Sequence, residues 1–397
     1  MKRIMIVAAS YLPIPAYKGG ATETLMTELL DRLKDNADYQ FDVYSFCEPE
    51  GDYKTKSGSV TYHYIKPSLK DNLYLQFFRC LRLLCFKKIN IPSSFAKRLS
   101  HDINLEQYDA IILEGDKNQV LTFRKRYKKK IILHIHTVIT FTKHTPFAKK
   151  IFRECDYILG NSQFTQKTIS EICPEQSDKV IEFANCIDVS EFISIDRYYW
   201  RSAIRKKHNL SDNDKVFIFC GRLEEGKGVK ELVQAFSKLD SNYKLMIVGA
   251  SWYSTDKKTP YTDELIEITQ SISSRIVFTG YVKHEDIAKY YSAADVCVVP
   301  SIYEEAACLV VLEAQAAGLP IVASNIGGIP EFVYPQNGAL VDVDNDFVVN
   351  LSSAMEEMIQ RKDNFNNNME FDKFMNSHDV ATYAEKFLTI LSKIGRD

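Results

Sequence analysis

Residues 296–324 have the sequence VCVVPSIYEEAACLVVLEAQAAGLPIVAS, which predicts a strand, a helix and a second strand. The apolar run Val296–Val299 is typical of a buried parallel strand, and residues 321–323 repeat the pattern. The small and apolar residues 306–317 predict a buried helix between them, which Gly318 would end in a left-handed conformation. The stretch therefore predicts a βαβ unit, the building block of parallel sheets.

Two carboxylates in this unit indicate a binding site. Glu305 stands at the entrance of the predicted helix, and Glu313 lies roughly 12 Å further along its axis, at about 1.5 Å per residue. A buried helix rarely carries a glutamate unless another group satisfies the carboxylate. Glu313 is therefore a candidate for binding a ligand.

The same alternation extends through the chain and predicts an α/β protein. It favours two Rossmann-like, doubly wound domains that face each other across a cleft, over residues 1–188 and 189–376. The charged, strand-poor residues 186–212 are expected to connect them, and 377–397 to form a C-terminal helix that packs back on the first domain. Strands are expected at 3–10, 41–46, 60–65, 108–114, 131–137, 157–160, 180–183, 216–220, 244–248, 276–279, 296–299, 321–323 and 339–341, and helices at 22–33, 229–239, 306–317, 346–361 and 378–394.

Composition places the chain among soluble globular proteins. Of its 397 residues, 45% are apolar and 26% charged, and no apolar run approaches the roughly 20 residues that span a bilayer. The apolar run near the start is too short for a signal peptide and fits a strand better. The nine cysteines are scattered without Cys-x-x-Cys spacing, which favours reduced thiols and a cytoplasmic location.

The net charge of −2 conceals an asymmetry between the two halves. Residues 1–185 hold 28 Lys and Arg against 21 Asp and Glu, and within 54–130 the count is 17 against 6. Residues 73–88 mix leucines and aromatics with cations, and residues 124–130 form a second basic cluster. This pattern predicts attachment to an anionic membrane surface. A core helix with a solvated basic rim is the alternative, and no motif indicates a nucleic-acid partner.

Two glycine-containing loops are candidate phosphate sites. Residues 221–228 read GRLEEGKG between a strand and a helix, where Arg222 offers a planar fork and Lys227 a point charge to a diphosphate. The loop is not an ATPase P-loop, because Gly228 replaces the Ser or Thr that ligates Mg²⁺. Gly19 and Gly20 follow the first strand and form either an anion cradle or a simple turn.

In their order and spacing, these motifs resemble the family 4 glycosyltransferases over most of the chain. Those are retaining, nucleotide-sugar-dependent enzymes of the two-Rossmann-domain GT-B architecture. The early Pro13-x-Pro15 and the loop Ser251-Trp252-Tyr253 resemble the branch that includes spore-coat and cell-wall polysaccharide transferases. The resemblance is carried by Gly19-Gly20, His136, Asn185-x-Ile187-Asp188, Gly221-Arg222, Lys227-Gly228, Pro300-Ser301, Glu305, Glu313, Gly318-Leu319-Pro320 and Gly327-Gly328.

The resemblance implies a role for each candidate in the second half. Glu313 would hold the ribose hydroxyls of the nucleotide, and Glu305 would approach the hydroxyls of the transferred sugar. Arg222 and Lys227 would neutralise the leaving diphosphate. Backbone N–H groups near Cys308 and Leu309, at the start of the helix, would bind phosphate oxygens.

In the first half, the resemblance implies that His136 contacts the sugar or the reacting centre. Gly19 and Gly20 would let the first loop approach closely. His134, two residues earlier on the same strand face, is a competing candidate, and a backbone-satisfied histidine is the plain alternative for His136.

One departure from the family concerns residues 305–308. The family often has Glu-Pro-Phe-Gly where this chain has Glu305-Ala306-Ala307-Cys308, which leaves the identity of the donor sugar open. A thiol at a helix N-terminus can have a lowered pKa, although a catalytic Cys308 is not expected.

The resemblance thus predicts a retaining glycosyltransferase that uses a nucleotide sugar, expected to be a UDP-sugar, with no cofactor and no metal. The acceptor would be lipid-linked or a glycan in cell-surface polysaccharide biosynthesis, such as capsule or lipopolysaccharide, at the inner face of the membrane. A non-catalytic homologue that binds a partner is the alternative. A nucleotide-sugar epimerase is disfavoured, because the spacing of Glu305 and Glu313 does not support it.

Overall fold

The computed structural model describes residues 1–9, 12–17, 20–46, 54–66, 73, 77, 93–137, 146–251, 259–361 and 368–395. The chain divides into two compact units. The first comprises Met1–Ala184 with Tyr383–Asp397, and the second Asn185–Thr382. The expected domain boundary after residue 188 lies within four residues of this division, and the chain re-enters the first unit at Tyr383 rather than at 377.

The first unit is built on an eight-stranded sheet with the order β3-β4-β2-β1-β5-β6-β7-β8. All neighbouring strands are parallel except the β3–β4 pair, which is antiparallel. The sequence did not predict β3, because its residues KTKS are exposed and carry no apolar pattern. The strands are β1 (Lys2–Val7), β2 (Tyr39–Phe46), β3 (Lys54–Ser57), β4 (Val60–Ile65), β5 (Ala110–Glu114), β6 (Lys130–Ile135), β7 (Tyr157–Gly160) and β8 (Val180–Glu182).

Helices of the first unit bury apolar stripes against this sheet. In α1 the apolar residues recur at helical spacing, and Leu25, Leu29 and Leu33 are all buried. The C-terminal helix belongs here from Tyr383 onward, and the Tyr383 ring stacks on Phe183 with centroids 3.9 Å apart. The helices are α1 (Ala21–Leu33), α2 (Ser94–Asp102), α3 (Val120–Arg124), α4 (Pro146–Arg153) and α5 (Gln163–Ile172).

The second unit has a six-stranded, fully parallel sheet with the order β11-β10-β9-β12-β13-β14. This is the order of the doubly wound nucleotide-binding fold, in which the winding direction reverses between β9 and β12. Side chains of β9 alternate between two buried clusters, one on each face of the sheet. The strands are β9 (Lys215–Cys220), β10 (Tyr243–Val248), β11 (Ile276–Gly280), β12 (Val296–Val299), β13 (Ile321–Ser324) and β14 (Gly338–Val341).

Helices cover both faces of the second sheet, so the doubly wound α/β fold expected from the sequence is confirmed in each unit. The predicted connection 186–212 contributes two of these helices. They are α6 (Ser190–Ile193), α7 (Arg197–Lys207), α8 (Val229–Ser237), α9 (Pro260–Thr269), α10 (Ile287–Ala293), α11 (Leu309–Ala316), α12 (Phe347–Arg361), α13 (Met369–Ser377) and α14 (Val380–Ile394), whose last part belongs to the first unit.

The helix predicted at 306–317 was wrong at its start, because α11 begins at Leu309. The preceding residues make tertiary hydrogen bonds instead of helical ones. The amide of Ile302 donates to Gly226 O at 3.0 Å, and Glu305 O accepts from the amide of Gly328 at 2.7 Å. Glu305 therefore lies in the loop before the helix and not at its entrance.

Some expectations fall on residues outside those described, namely Gly19, Trp252, Tyr253 and most of 73–88. Within the described ranges, the cysteines at 155, 173, 186, 220, 297 and 308 are in the reduced form. No helix in that part of the chain is both long enough and apolar enough to cross a membrane.

Candidate functional site

The loops that follow β9 and β12 meet at the point where the second sheet reverses its winding. In open α/β sheets, ligands bind at the carboxyl ends of the strands at such a point. The loop after β9 carries Arg222 and Lys227, and the loop after β12 carries Ser301 and Glu305. The strand order thus brings together residues that are about 80 positions apart in the sequence.

Gly228 allows the two loops to approach. Its φ is +66°, and a Cβ added there would lie 1.8 Å from the carbonyl oxygen of Pro300. Any larger residue would collide with that backbone and also adopt an unfavourable conformation. In the sequence, Gly228 was notable only because it replaces the Ser or Thr of an ATPase P-loop. The structure shows that packing requires a glycine there.

Lys227 and Glu305 form an ion pair at the junction of the loops. Lys227 Nζ lies 2.8 Å from Glu305 Oε2, and the Ser301 hydroxyl donates a hydrogen bond to Glu305 Oε1. Burial alone would lower the pKa of Lys227, but the nearby Glu305 carboxylate outweighs it, so the pKa is raised and the ammonium stays charged. The pair is a fixed positive and negative charge at the carboxyl end of the sheet.

Gly327 and Gly328 support Glu305 from the opposite side. A Cβ added at Gly327 would lie 2.6 Å from the carbonyl oxygen of Glu305, and the amide of Gly328 donates to that oxygen. Gly327 also has a φ of +59°. The second glycine pair thus fixes the backbone that carries the carboxylate.

Arg222 is more exposed than Lys227, and its Nη1 lies 2.9 Å from Glu224 Oε2. About a third of its side chain, 36%, is accessible. An arginine held by a neighbouring surface carboxylate can exchange that partner for a phosphate at small cost. The predicted contact of Arg222 with a diphosphate stays a prediction.

Cys308 occupies the N-cap position of α11, directly before Leu309. The first-turn amides of a helix have no helical acceptors, so this end favours anions. The Cys308 side chain is buried, and burial raises the pKa of its thiol. The lowered pKa considered from the helix position is wrong, because loss of hydration outweighs the helix terminus.

Glu313 is buried on α11 and has a protein partner that the sequence did not reveal. The Tyr291 hydroxyl of α10 donates to Glu313 Oε2 at 3.0 Å. Tyr291 is itself fully buried, and burial raises the pKa of its phenol well above the usual value. Tyr291 thus holds one oxygen of the carboxylate that was predicted to bind the ribose.

In the first unit, polar side chains gather where β5 and β6 end. Glu114 Oε2 accepts a hydrogen bond from His136 Nε2 at 2.7 Å and lies 2.9 Å from His134 Nδ1. These side chains are almost inaccessible, at 0% for Glu114 and His134 and 3% for His136. The two competing histidines of the sequence thus share one carboxylate.

The start of α1 lies close to this cluster. Glu23 in its first turn is buried, and a Cβ added at Gly20 would lie 2.3 Å from Glu23 Oε2. Burial raises the pKa of Glu23, while the charge of His136 opposes that change. Gly20 is therefore packed against Glu23 at the start of α1, and the close approach to a ligand predicted for the first loop stays a prediction.

Opposing effects set the charges in the cluster. Burial alone would raise the pKa of Glu114, but His134 and His136 outweigh it and lower the pKa to about 2. Burial, together with the neighbouring His134, lowers the pKa of His136. The cluster is thus an ionised carboxylate beside a histidine that favours its neutral form near neutral pH.

Glu114, His134 and His136 are also residue types that hold transition metals, and their ligand atoms lie within 4.8 Å of one another. Glu114 Oε2 and His136 Nε2, 2.7 Å apart, form a hydrogen bond, whereas His134 Nδ1 lies 2.9 Å from the same oxygen without one. We therefore describe the trio as a buried polar cluster held by the His136–Glu114 hydrogen bond.

Sequence reasoning did not identify three polar residues of these sites, Glu23, Glu114 and Tyr291, and it named Ser301 within a motif without giving it a role. Glu114 had a usable signal, because it ends the apolar strand AIILE and precedes a glycine. Tyr291 had none, since an aromatic on an apolar helix is typical of core.

The sequence is similar to those of known glycosyltransferases. Residues 201–371 match the family model described as glycosyl transferases group 1. The chain is 24% identical over 355 residues to a putative glycosyltransferase, YtcC, of Bacillus subtilis, covering 86% of this chain and 79% of that protein. It is 25% identical over 349 residues to a lipopolysaccharide 1,2-N-acetylglucosaminetransferase of Salmonella typhimurium, covering 84% and 83%. Spore coat protein SA of Bacillus subtilis is 23% identical over 346 residues, 85% of each protein.

Solved structures show the same fold. A sucrose-phosphate synthase from Thermosynechococcus elongatus superposes with a TM-score of 0.74 at 17% identity and covers 99% of each chain. Anabaena HepE in complex with UDP and glucose also gives 0.74 at 17% identity, covering 99% of this chain and 100% of that one. The expected GT-B architecture is confirmed.

Proposed function

We propose that this chain, whose residues 201–371 match the model of glycosyl transferases group 1, is a retaining glycosyltransferase that uses a nucleotide sugar. The observation that carries the proposal is the Lys227–Glu305 ion pair at the reversal point of the second sheet. A UDP-sugar is the expected donor, supported by a neighbour of the same fold that was solved with UDP and glucose.

The proposed chemistry assigns one task to each part of the second unit. Lys227, Arg222 and the first amides of α11 would stabilise the negative charge that develops on the leaving diphosphate. Glu305 would accept hydrogen bonds from hydroxyls of the transferred sugar, and Glu313 from the ribose. In this front-face displacement, the acceptor oxygen bonds to the anomeric carbon as its bond to phosphate breaks, and the phosphate takes the acceptor's proton.

The acceptor is proposed to be a lipid-linked or glycan molecule in the synthesis of a cell-surface polysaccharide. A relative that aligns with 84% of this chain is named a lipopolysaccharide N-acetylglucosaminetransferase, which supports this class of acceptor. The role implied for His136, a contact to the sugar or the reacting centre, remains a prediction.

A nucleotide-sugar screen tests the proposal. Thermal unfolding and slow hydrolysis of a panel of UDP-, GDP- and ADP-sugars are measured with wild type and with Glu313→Gln. We expect one donor sugar nucleotide to raise the melting temperature. Glu313→Gln should weaken the binding of that donor by about 10-fold, because a neutral amide replaces the carboxylate that accepts hydrogen bonds from the ribose hydroxyls. The matched control is Glu264→Gln, which removes a surface carboxylate paired with Lys230.

The same screen in EDTA tests the proposed absence of a metal. Because protein cations and helix amides supply the positive charge, turnover should be the same in EDTA and in Mg²⁺. A melting curve that no nucleotide sugar shifts would favour a non-catalytic, partner-binding homologue. Turnover that requires Mg²⁺ would refute the charge assignment to Lys227 and Arg222.

We also propose that the basic face of the first unit binds an anionic membrane. Lys125, Arg126, Lys128 and Lys129 are exposed after α3. Two of these cations also make hydrogen bonds within the protein. Lys129 Nζ donates to Glu106 O at 2.7 Å, and Arg126 donates to Ser100 O at 3.2 Å. These bonds restrict the two side chains but leave their charges in place, because a backbone carbonyl carries no net charge.

Vesicle co-sedimentation measures this attachment. We expect binding to vesicles containing phosphatidylglycerol at low salt, and a reduction of about 30-fold when Lys125 and Lys128 are both changed to Gln, since each cation contributes about 1 kcal/mol. Neutral phosphatidylcholine vesicles are the control. Lack of sedimentation with anionic vesicles at low salt would exclude the membrane proposal.

A further inference from the structure

We infer that Glu114 is a positioning residue, which holds His136 with its proton on Nε2 and leaves Nδ1 as an acceptor for a hydroxyl group of a bound substrate. The inference rests on the proposed transferase function, in which the substrates are rich in hydroxyls. It assigns a task to a carboxylate that the mechanism above does not use.

The hydrogen bond fixes which nitrogen of His136 carries the proton. An ionised carboxylate can only accept, so Nε2, at 2.7 Å from Glu114 Oε2, must be the donor. In the neutral ring the other nitrogen is then an acceptor. His136 Nδ1 is buried and has no hydrogen-bond partner among the residues that the structure describes.

Glu114 is well placed to stay ionised and rigid. Its side chain is fully buried at the end of β5, and the next residue, Gly115, has a φ of +70° and donates to His134 O at 2.8 Å. The carbonyl of His136 accepts from Asn161 Nδ2 at 3.2 Å. The backbones on both sides of the hydrogen bond are therefore anchored.

His134 supports the pair without replacing His136 in it. Its Nδ1 lies 2.9 Å from Glu114 Oε2 but is not aligned for a hydrogen bond, and its Nε2 lies 3.5 Å from the Tyr383 hydroxyl. The two imidazole rings are 3.9 Å apart between centroids. His134 Nδ1 also lacks a hydrogen-bond partner among the described residues, but it lies beside the Glu114 carboxylate, which leaves His136 Nδ1 as the candidate for a ligand.

A buried acceptor without a hydrogen bond is unfavourable, and a donor on the ligand would remove that cost. A neutral imidazole nitrogen suits a hydroxyl donor and repels a phosphate oxygen. A protonated Nδ1 would suit phosphate instead, but burial and His134 lower the pKa of His136 and oppose that form. The geometry therefore favours a sugar or acceptor hydroxyl over the diphosphate.

The test combines a spectroscopic and a kinetic readout on the full chain. Long-range ¹H–¹⁵N correlation spectra of protein labelled at histidine distinguish the two neutral tautomers. We expect His136 of wild type to have the Nε2–H tautomer, and Glu114→Gln to give a mixture, because an amide can both accept and donate. In kinetics, kcat of Glu114→Gln should fall about 10- to 100-fold with a smaller change in KM.

The control variant is Asp42→Asn, which removes the carboxylate partner of His63 in the same sheet, where Nε2 and Oδ1 lie 2.7 Å apart. It should change the His63 signals and leave those of His136 and kcat unaltered. His136 protonated on Nδ1 in wild type, or an unchanged tautomer in Glu114→Gln, would overturn the inference. A change in the ¹⁵N shift of His136 when a co-purified metal is removed would also overturn the inference, because His136 would then be a metal ligand. The spectra report the tautomer of His136 even if the protein turns over no donor. Failure of the inference and failure of the proposed function can therefore be told apart.

Discussion

Replacing Lys227 by methionine is expected to lower kcat by about 100-fold or more while leaving the fold intact. Methionine keeps the length of the side chain but removes the ammonium that faces Glu305 at 2.8 Å. Preorganised charge at a developing anion contributes roughly 3–4 kcal/mol to transition-state stabilisation in a water-poor site. Single-turnover kinetics with the donor found by the screen measures the loss.

Stability should change far less than kcat in this variant. Glu305 keeps the hydrogen bond from Ser301 and is 16% accessible, so its carboxylate remains partly hydrated. We expect the free energy of unfolding to fall by about 1 kcal/mol. Lys230→Met is the matched control, since Lys230 pairs with Glu264 at 2.5 Å on the same unit's surface and should keep full activity.

A double-mutant cycle then separates the two charges. If Lys227 acts on the diphosphate and Glu305 on the sugar, the losses from Lys227→Met and Glu305→Gln should largely add. If the pair serves only to hold the two loops together, the double variant would lose no more than either single variant. Parallel losses of kcat and melting temperature would identify Lys227 as structural and refute its role in charge stabilisation.

The largest effect on stability is expected from Asp295→Ala, at about 3–5 kcal/mol. Asp295 Oδ2 accepts from Arg205 Nη2 at 3.1 Å and from the amide of Val216 at 2.8 Å, and Oδ1 accepts from Arg201 at 2.9 Å. The Arg205 side chain is 1% accessible. Removing the carboxylate leaves this guanidinium buried without its counter-charge and frees an amide at the start of β9.

Urea unfolding followed by far-UV circular dichroism measures this loss. The control is Asp286→Ala, which removes a more exposed carboxylate that pairs with Lys289 and should cost at most about 1 kcal/mol. A loss below about 1 kcal/mol for Asp295→Ala would show that the buried network can relax around an uncompensated arginine.

Much of the secondary structure could be predicted from local patterns. Val296–Val299, Val60–Ile65 and Tyr157–Gly160 were predicted to the residue. The first is buried along its whole length, and such a strand gives a continuous apolar run that loops do not imitate. The antiparallel edge strand β3 was missed because its exposed residues carry no such signal. The start of α11 was misplaced because tertiary hydrogen bonds to glycines hold residues 302 and 305 outside the helix.

The candidate site was also predicted only in part from the sequence. The loop residues Arg222, Lys227 and Glu305 were recognised by residue type and spacing, and the resemblance supplied their expected roles. The contacts of Ser301 with Glu305, of Tyr291 with Glu313 and of Glu114 with His136 were not predicted. Only the folded chain brings these atoms within 3.0 Å of one another.

By itself the sequence determined the α/β class, the repetition of that pattern in two halves, and the positions of the charged and glycine-rich loops. These follow from the periodicity of side chains along one segment, which depends only on neighbours in the chain. The tertiary structure alone decided that Gly228 must be glycine, that the Cys308 thiol is held neutral, and that His136 shares a carboxylate with His134. Such features depend on close approach and on loss of water, and both arise only when segments distant in sequence pack together.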